Sequence, residues 1–333
     1  MRERTIASHF VRAALQGAAR RGLDSRPLLA ELNIHPELLD EPRARVTPEQ
    51  FTCLVQRIWE LLDDEYMGFG RQPSKRGTFA MMCHSIIHCP TLEKALQRGT
   101  LFYALFPDAP LLHLERDGEQ ARLVLDASPL WDPDHFLTES LLVIWHRLGS
   151  WLIGQRIRLL ESSFRYPEPP HAGEYDLLFP GPRRFAAPHT CLRFQARYLD
   201  MPLLQDERTL KRFLQNSPAD LLARPDSGDS LTSQIRRLLG RDCRHWPDLE
   251  QIARQLHASP QTLRRRLREE GTSFQEIKDQ LRRDLAIYHL GRDALSIQAI
   301  AEQLGFSEAS AFHRAFKKWT GLTPGAYRAH RAE

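Results

Sequence analysis

Apolar side chains recur three and four positions apart along most of this chain, and one such pattern occurs twice. Leu249-Glu-Gln-Ile-Ala-Arg-Gln-Leu256 is matched 48 residues later by Ile297-Gln-Ala-Ile-Ala-Glu-Gln-Leu304. Each predicts an amphipathic helix, with Ile252, Ala253 and Leu256 on the face that Ile300, Ala301 and Leu304 occupy in the second copy. A four-residue turn follows each, His257-Ala-Ser-Pro260 and then Gly305-Phe-Ser-Glu308. Ser259 and Ser307 stand where a side-chain oxygen would cap the next helix. The small Ala253 and Ala301 allow steeply crossed helices to approach. Helix, short turn, helix is the pattern of a helix-turn-helix unit. One copy would be a weak signal, and two are a strong one.

The second helix of each unit carries the chemistry. Leu263 and Leu267, four apart, take the core side of the first, leaving Gln261, Arg264, Arg265 and Arg268 outward. Phe312 and Phe316 take the core side of the second, one residue later in register, leaving Ser310, His313, Arg314 and Lys317 outward. These side-chain types contact base edges and phosphates in a major groove, where Arg can bridge guanine O6 and N7. On an isolated helix an Arg-rich face would be a solvated surface; on a repeated helix-turn-helix unit it points to DNA. Between the units, Phe274–Leu290 predicts a helix roughly 25 Å long. That length plus the width of the flanking units sets the two recognition helices about one DNA turn apart, ~34 Å, so that one chain spans two successive major grooves and ~16–20 base pairs. Recognition helices that are not parallel would require the DNA to bend.

Upstream the pattern changes. Helices are expected over residues 5–20, 48–62 (after a Thr47 cap), 90–105, 135–153 and 205–223. Residues 111–116 and 121–126 alternate around Asp117-Gly118, a hairpin signal. Residues 159–166, 175–179 and 190–194 read as short extended pieces. The polar, Pro- and Gly-containing residues 224–230 read as a linker. The expected fold is thus an α+β N-terminal domain, helices with a small sheet, over residues 1–223. It is joined to an all-α C-terminal domain over residues 231–333, with helix-turn-helix units at about 249–270 and 297–319.

Charge agrees with this division. The net formal charge of the chain is only +4. Residues 231–333 nevertheless carry 18 basic and 12 acidic side chains, and residues 1–230 carry 28 and 30. The positive charge lies where a polyanion is expected to bind. Five cysteines without CxxC spacing (Cys53, Cys83, Cys89, Cys191, Cys243) argue against a disulfide framework and for a reducing compartment. No signal-like start and no uninterrupted apolar run of membrane-spanning length is found, so the expected location is cytoplasmic, with no membrane partner.

Ile300-Ala-Glu-Gln-Leu-Gly-Phe-Ser-Glu-Ala-Ser-Ala-Phe-His-Arg-Ala-Phe-Lys-Lys-Trp-Thr-Gly-Leu-Thr-Pro-Gly-Ala-Tyr-Arg328 resembles the signature of the AraC/XylS family of bacterial transcription regulators. Residues 32–40, Arg45-Val46, Gly77-Thr-Phe79, Pro90–Leu96 and 179–191 resemble the N-terminal domain of the subgroup that includes the ornithine-utilisation regulator. Helices outnumber strands there, unlike the small β-barrel sensor of the arabinose regulator. The resemblance implies effector binding or dimerisation by residues 1–223, and action in the cytoplasm as an activator more often than a repressor. The implied partners are double-stranded promoter DNA, RNA polymerase, a small-molecule effector and a second copy of the chain.

Other residues offer other chemistry. Cys83-His-Ser-Ile-Ile-His-Cys89 places His84 and His88 on one helix face, where they could hold a transition metal or sense redox state. A Cys83–Cys89 disulfide would require that helix to break. Phe102, Tyr103, Phe106, Trp131, Trp145 and Trp151 could line an effector pocket, although such residues are more often core. A domain that only dimerises is the remaining alternative. No G-x-S-x-G, Walker loop, H-E-x-x-H or dinucleotide fingerprint is present, and no catalytic residue, cofactor or resident metal is expected.

Overall fold

The computed structural model describes residues 5–41, 43–215, 231–239, 246–269, 272–291 and 295–329. The chain opens with β1 (Ile6–Ala7), α1 (Ser8–Arg20), α2 (Ser25–Glu31), α3 (Glu37–Asp40), β2 (Arg45–Val46) and α4 (Pro48–Leu62). Next come α5 (Thr78–Ile86), α6 (Leu92–Tyr103), β3 (Leu111–Asp117), β4 (Gln120–Asp126), α7 (Phe136–Leu152) and β5 (Leu159–Ser163). Then follow α8 (Tyr175–Leu178), β6 (Arg183–Arg184), β7 (Thr190–Gln195) and α9 (Glu207–Leu214). The remaining elements are helices: α10 (Leu231–Leu239), α11 (Leu249–Gln255), α12 (Pro260–Glu269), α13 (Phe274–Leu290), α14 (Ile297–Gln303), α15 (Ala309–Thr320) and α16 (Pro324–Ala329).

Compactness groups the chain into two units, and their boundaries differ from the expected 1–223 and 231–333. One unit comprises Met1–His9, Leu29–Phe51 and Ser227–Glu333; the other comprises Phe10–Leu28 and Thr52–Asp226. The reason is burial. Leu38 and Ala44 lie in one apolar cluster with Ala286, Ile287, Leu290, Phe312 and Phe316 of the C-terminal helices. Proximity along the chain therefore does not decide which core a segment joins. The expected linker, residues 224–230, lies outside the described residues.

The second unit is α+β, as the patterning predicts. Its sheet has the order β3-β4-β7-β5-β6, with β5 and β6 parallel and the other pairs antiparallel. Asp117 pairs with Gln120, so Gly118 and Glu119 form the two-residue hairpin turn. Gly118 there has φ 56, the left-handed backbone such turns require. Along β4, Ala121, Leu123 and Leu125 are buried while Gln120, Arg122 and Asp126 are exposed, the period-2 alternation of a sheet with one face on the core. Residues 48–62 form a helix as expected, and Thr47 and Gln50 cap its start reciprocally, Gln50 N to Thr47 Oγ1 at 3.2 Å and Thr47 N to Gln50 Oε1 at 3.0 Å.

Three local expectations differ. Residues 175–179 are helical rather than extended over Tyr175–Leu178, where the Tyr175 hydroxyl donates to the buried carboxylate of Glu139 on α7. The first helix starts at Ser8 rather than Thr5, because Ile6 and Ala7 pair with Val46 and Arg45 as a two-residue ladder. The last helix before the linker ends at Leu214, and the rest of its expected span, residues 216–223, lies outside the described residues.

Candidate nucleic-acid interface

The repeat holds in three dimensions, and each copy has its own core. Leu231, Ile235, Ile252, Ala253, Leu263, Leu267 and Ile277 form one apolar cluster. Ala286, Ile287, Ile300, Ala301, Leu304, Phe312, Phe316 and Tyr327 form the other, with Leu38 and Ala44. α11 and α14 are displaced by the 48 residues of the sequence repeat. Asp248 caps α11, accepting from Gln251 N at 2.7 Å while Gln251 Oε1 accepts from Asp248 N. Ser296 caps α14 through Ala299 N at 3.1 Å. The turn after each first helix passes through a left-handed residue, His257 (φ 50) and Gly305 (φ 77).

The second turn is one residue longer, and this corrects the expected caps. Ser259 caps α12, its Oγ accepting from Thr262 N at 3.1 Å. Ser307 does not cap α15. The N-cap is Glu308, which makes no side-chain capping bond. The extra residue moves the start of α15 from 48 to 49 positions after its counterpart. The same offset places Phe312 and Phe316 on the core side, one residue later than the first helix repeat would put them.

Leu263 and Leu267 are buried on α12, and Phe312 and Phe316 on α15. With those positions fixed inward, Gln261, Arg264, Arg265 and Arg268 are exposed along α12. On α15, Ser310, Arg314 and Lys317 are exposed and His313 is half-buried, its ring edge-on to Phe312 at 6.3 Å. Each helix thus brings its four expected residues to one solvent-facing side. α12 carries three guanidiniums there, and α15 carries one guanidinium and one ammonium.

α13 joins the units, and its Arg282 is a positioning residue that sequence patterning did not single out. The Arg282 guanidinium lies 5.3 Å from the Trp246 ring and 5.7 Å from the Phe306 ring, and its Nε donates to Leu304 O at 3.1 Å. Trp246 packs against both clusters, so this side chain ties the joining helix to the second unit while stacking on a ring shared with the first. An Arg-Arg pair at 282–283 in an otherwise amphipathic helix was the available signal.

A second feature outside the sequence reading is the N-terminal segment. Asp284 of α13 is buried and accepts from Thr5 Oγ1 at 2.7 Å. Arg45, also buried, donates from Nε to Thr5 Oγ1 and from Nη2 to Thr5 O, both at 2.8 Å. Tyr327 Oη donates to Arg45 O at 2.6 Å. At the end of α15, Arg43 Nη1 donates to Lys318 O at 3.3 Å, placing a cation against last-turn carbonyls where the helix dipole favours it. Gly321 closes α15 at φ 81, and a Cβ there would fall 2.3 Å from the Glu41 carboxyl carbon.

The α+β unit holds the other candidates. Cys83 and Cys89 are buried, whereas His84 Nδ1 and His88 Nε2 lie 3.2 and 3.1 Å from the two Glu207 oxygens, so the four residues do not converge on one point. Burial pushes the Cys83 thiol well above its ordinary range. Among the described residues no group of three or more His, Cys, Asp or Glu side chains is arranged to hold a metal. Of the six aromatics, Tyr103 and Trp145 line a cavity; Phe106 and Trp131 are exposed, and Trp151 stacks on Phe213 at 4.1 Å. Trp59, Glu65 and Tyr66 line the same cavity and were not anticipated. Among the described residues, no helix is long and apolar enough to cross a membrane.

Residues 252–330 match a family model described as a helix-turn-helix domain, and residues 22–203 match one described as the arabinose-binding domain of AraC transcription regulator, N-terminal. The N-terminal match relates this segment to arabinose-binding domains in spite of its surplus of helices over strands. The chain is 31% identical over 322 residues to the ornithine utilization regulator of Pseudomonas aeruginosa, covering 96% of this chain and 95% of that one. It is 27% identical over 332 residues to an uncharacterized HTH-type transcriptional regulator of Mycobacterium tuberculosis, covering 96% and 95%. It is 42% identical over 81 residues to the HTH-type transcriptional regulator VirS of the same species, 24% of each chain.

Proposed function

The chain belongs to the AraC family of transcription regulators, and on that premise we propose that it reads promoter DNA through two successive major grooves, α12 in one and α15 in the next. The observation that carries this is the matched pair of solvent-facing sides on two separately cored helix-turn-helix units. Gln261, Arg264, Arg265 and Arg268 meet one groove; Ser310, His313, Arg314 and Lys317 meet the other. Arg265 reads a base and Lys317 neutralises phosphate. The two sides are unequal, and α12 supplies more of the electrostatic attraction because it carries three guanidiniums. The protein acts in the cytoplasm as a homodimer, activating transcription through RNA polymerase under the control of a small effector held by the N-terminal domain. The sign of regulation and the partners rest on the family.

Footprinting on promoters recovered by genome-wide binding tests the geometry, and protection is expected across two consecutive turns on one face. Protection of a single turn overturns the two-groove arrangement. Arg265→Ala should cost about 1–3 kcal/mol on the specific site and relax preference at one base pair. Equal loss on random DNA makes it a phosphate contact instead. Lys317→Ala should weaken binding to all sequences and flatten the salt dependence by about one unit of slope.

A further inference from the structure

The cavity in the second unit has a definite chemical character. It measures about 30 Å³, room for more than one water. That is far below the several hundred Å³ that enclose a whole drug-sized ligand, so a head group fits and a large molecule does not. Its walls include the rings of Trp59, Tyr66, Tyr103 and Trp145, and a single carboxylate, that of Glu65.

The box is held in shape from several sides. Tyr103 and Trp145 meet edge to face, centroids 6.1 Å apart at 65°. A Cβ on Gly99 of α6 would come within 2.7 Å of the Trp145 ring, so that ring is seated directly against the helix backbone. Buried Asp64 fixes the loop carrying Glu65, accepting from the backbone N–H groups of Tyr66, Gly68 and Ser74.

One lining residue carries an unsatisfied buried donor, and another keeps spare acceptor capacity. Glu65 accepts from Gly77 N at 2.8 Å and Phe79 N at 2.9 Å, one bond to each oxygen, which leaves each oxygen able to accept more. Burial pushes its carboxyl up to about 6, and none of the lining residues is Lys, Arg or His. Trp59 is only 8% exposed, and its Nε1–H has no acceptor among the described residues. A buried donor without an acceptor costs free energy that a bound molecule can return.

We propose that this cavity is the effector site and takes the ammonium head of a small amine that also carries a hydrogen-bond acceptor. The rings supply cation–π attraction, Glu65 the counter-charge, and the Trp59 N–H a donor to the acceptor. An anion would be repelled by Glu65, and a neutral ligand would add no counter-charge to that of nearby Arg76 and the two backbone N–H donors. Trp59 also gives the site a covalent route to the DNA-binding unit: its helix, α4, begins at Pro48, within the segment Leu29–Phe51 that packs with the C-terminal helices.

The assignment rests on the reading of the chain as an effector-controlled regulator. The test uses the full chain and ethanolamine as probe, with ethylene glycol as the neutral counterpart of similar size. Intrinsic tryptophan fluorescence is followed up to about 100 mM of each. A saturable response to ethanolamine is expected, with none to ethylene glycol. Glu65→Gln and Trp59→Phe should each weaken that response about tenfold or more. Equal responses to the two probes, no saturable response to ethanolamine, or unchanged affinity in both variants overturns the assignment. If one variant fails to fold, the other together with the probe pair still decides. Footprinting of the amine-free protein runs in parallel. DNA binding without an amine response sinks this site alone, and an amine response without DNA binding sinks the regulatory reading.

Discussion

Replacing Leu38 with Ala tests whether residues far from the helix-turn-helix repeat form part of its core. Leu38 is 4% exposed and shares a cluster with Leu304, Phe312 and Phe316, which are at most 1% exposed. Truncating a buried Leu to Ala costs about 2–5 kcal/mol, from lost transfer energy plus the cavity left behind. The flanking aromatic rings are large and themselves closely packed, so the gap collapses poorly, and ~3 kcal/mol or more is expected. That corresponds to about a hundredfold rise in the local opening constant. Native-state hydrogen exchange is the suitable assay, because a chain with two units has no single unfolding midpoint that reports on one of them. Amides of α14, α15 and the C-terminal half of α13 should lose about two decades of protection. The cluster around Ile252 and Leu263 should change by less than ~0.5 kcal/mol, being built from other residues. Unchanged protection in α14 and α15 would refute the argument that the N-terminal segment completes this core.

The two turns make opposite predictions for their serines. Ser259→Ala should destabilise the first helix-turn-helix unit by about 1 kcal/mol, whereas Ser307→Ala should be close to neutral because Glu308 occupies the N-cap; equal losses by chemical denaturation would contradict the one-residue difference. Glu65 should leave a signature in stability against pH. Its carboxyl is raised to about 6 in the folded protein from an ordinary 4.5, so the folded state holds the proton longer, and this contribution is present below about pH 4.5 and lost as pH rises through 6. Stability should therefore fall across that window in the wild type, and Glu65→Gln should remove that part of the slope; identical slopes would show that the group is not buried as described. Arg282→Ala should lower affinity for a two-turn site by more than for either half-site alone, since it loosens the relative placement of the units; equal losses on the half-sites would deny it a positioning role.

The C-terminal domain was legible because its information is local. A 3.6-residue period, a 48-residue repeat and the inward Leu and Phe pairs together determine which side of each recognition helix meets solvent. Seven of the eight expected side chains are exposed on that side, and His313 is half-buried. The one-residue offset between the two turns was also visible as the register of Phe312 and Phe316. The caps were only half legible, because a serine four positions past a helix end reads the same whether the turn has four residues or five. The hairpin around Asp117-Gly118 was legible for a similar reason, since a two-residue turn fixes both the register and the alternation beside it. Tertiary structure decided what depends on distant partners. Residues 175–179 form a helical turn because the Tyr175 hydroxyl reaches Glu139, 36 positions earlier in the chain. Leu38 and Ala44 join the second helix-turn-helix core, and Thr5 meets Asp284, across separations that no periodicity encodes. Glu65 stands in no motif or repeat of the sequence. Only the folding of Trp59, Tyr103 and Trp145 around it turns that charge into a recognition group, because burial removes the water that would otherwise satisfy it.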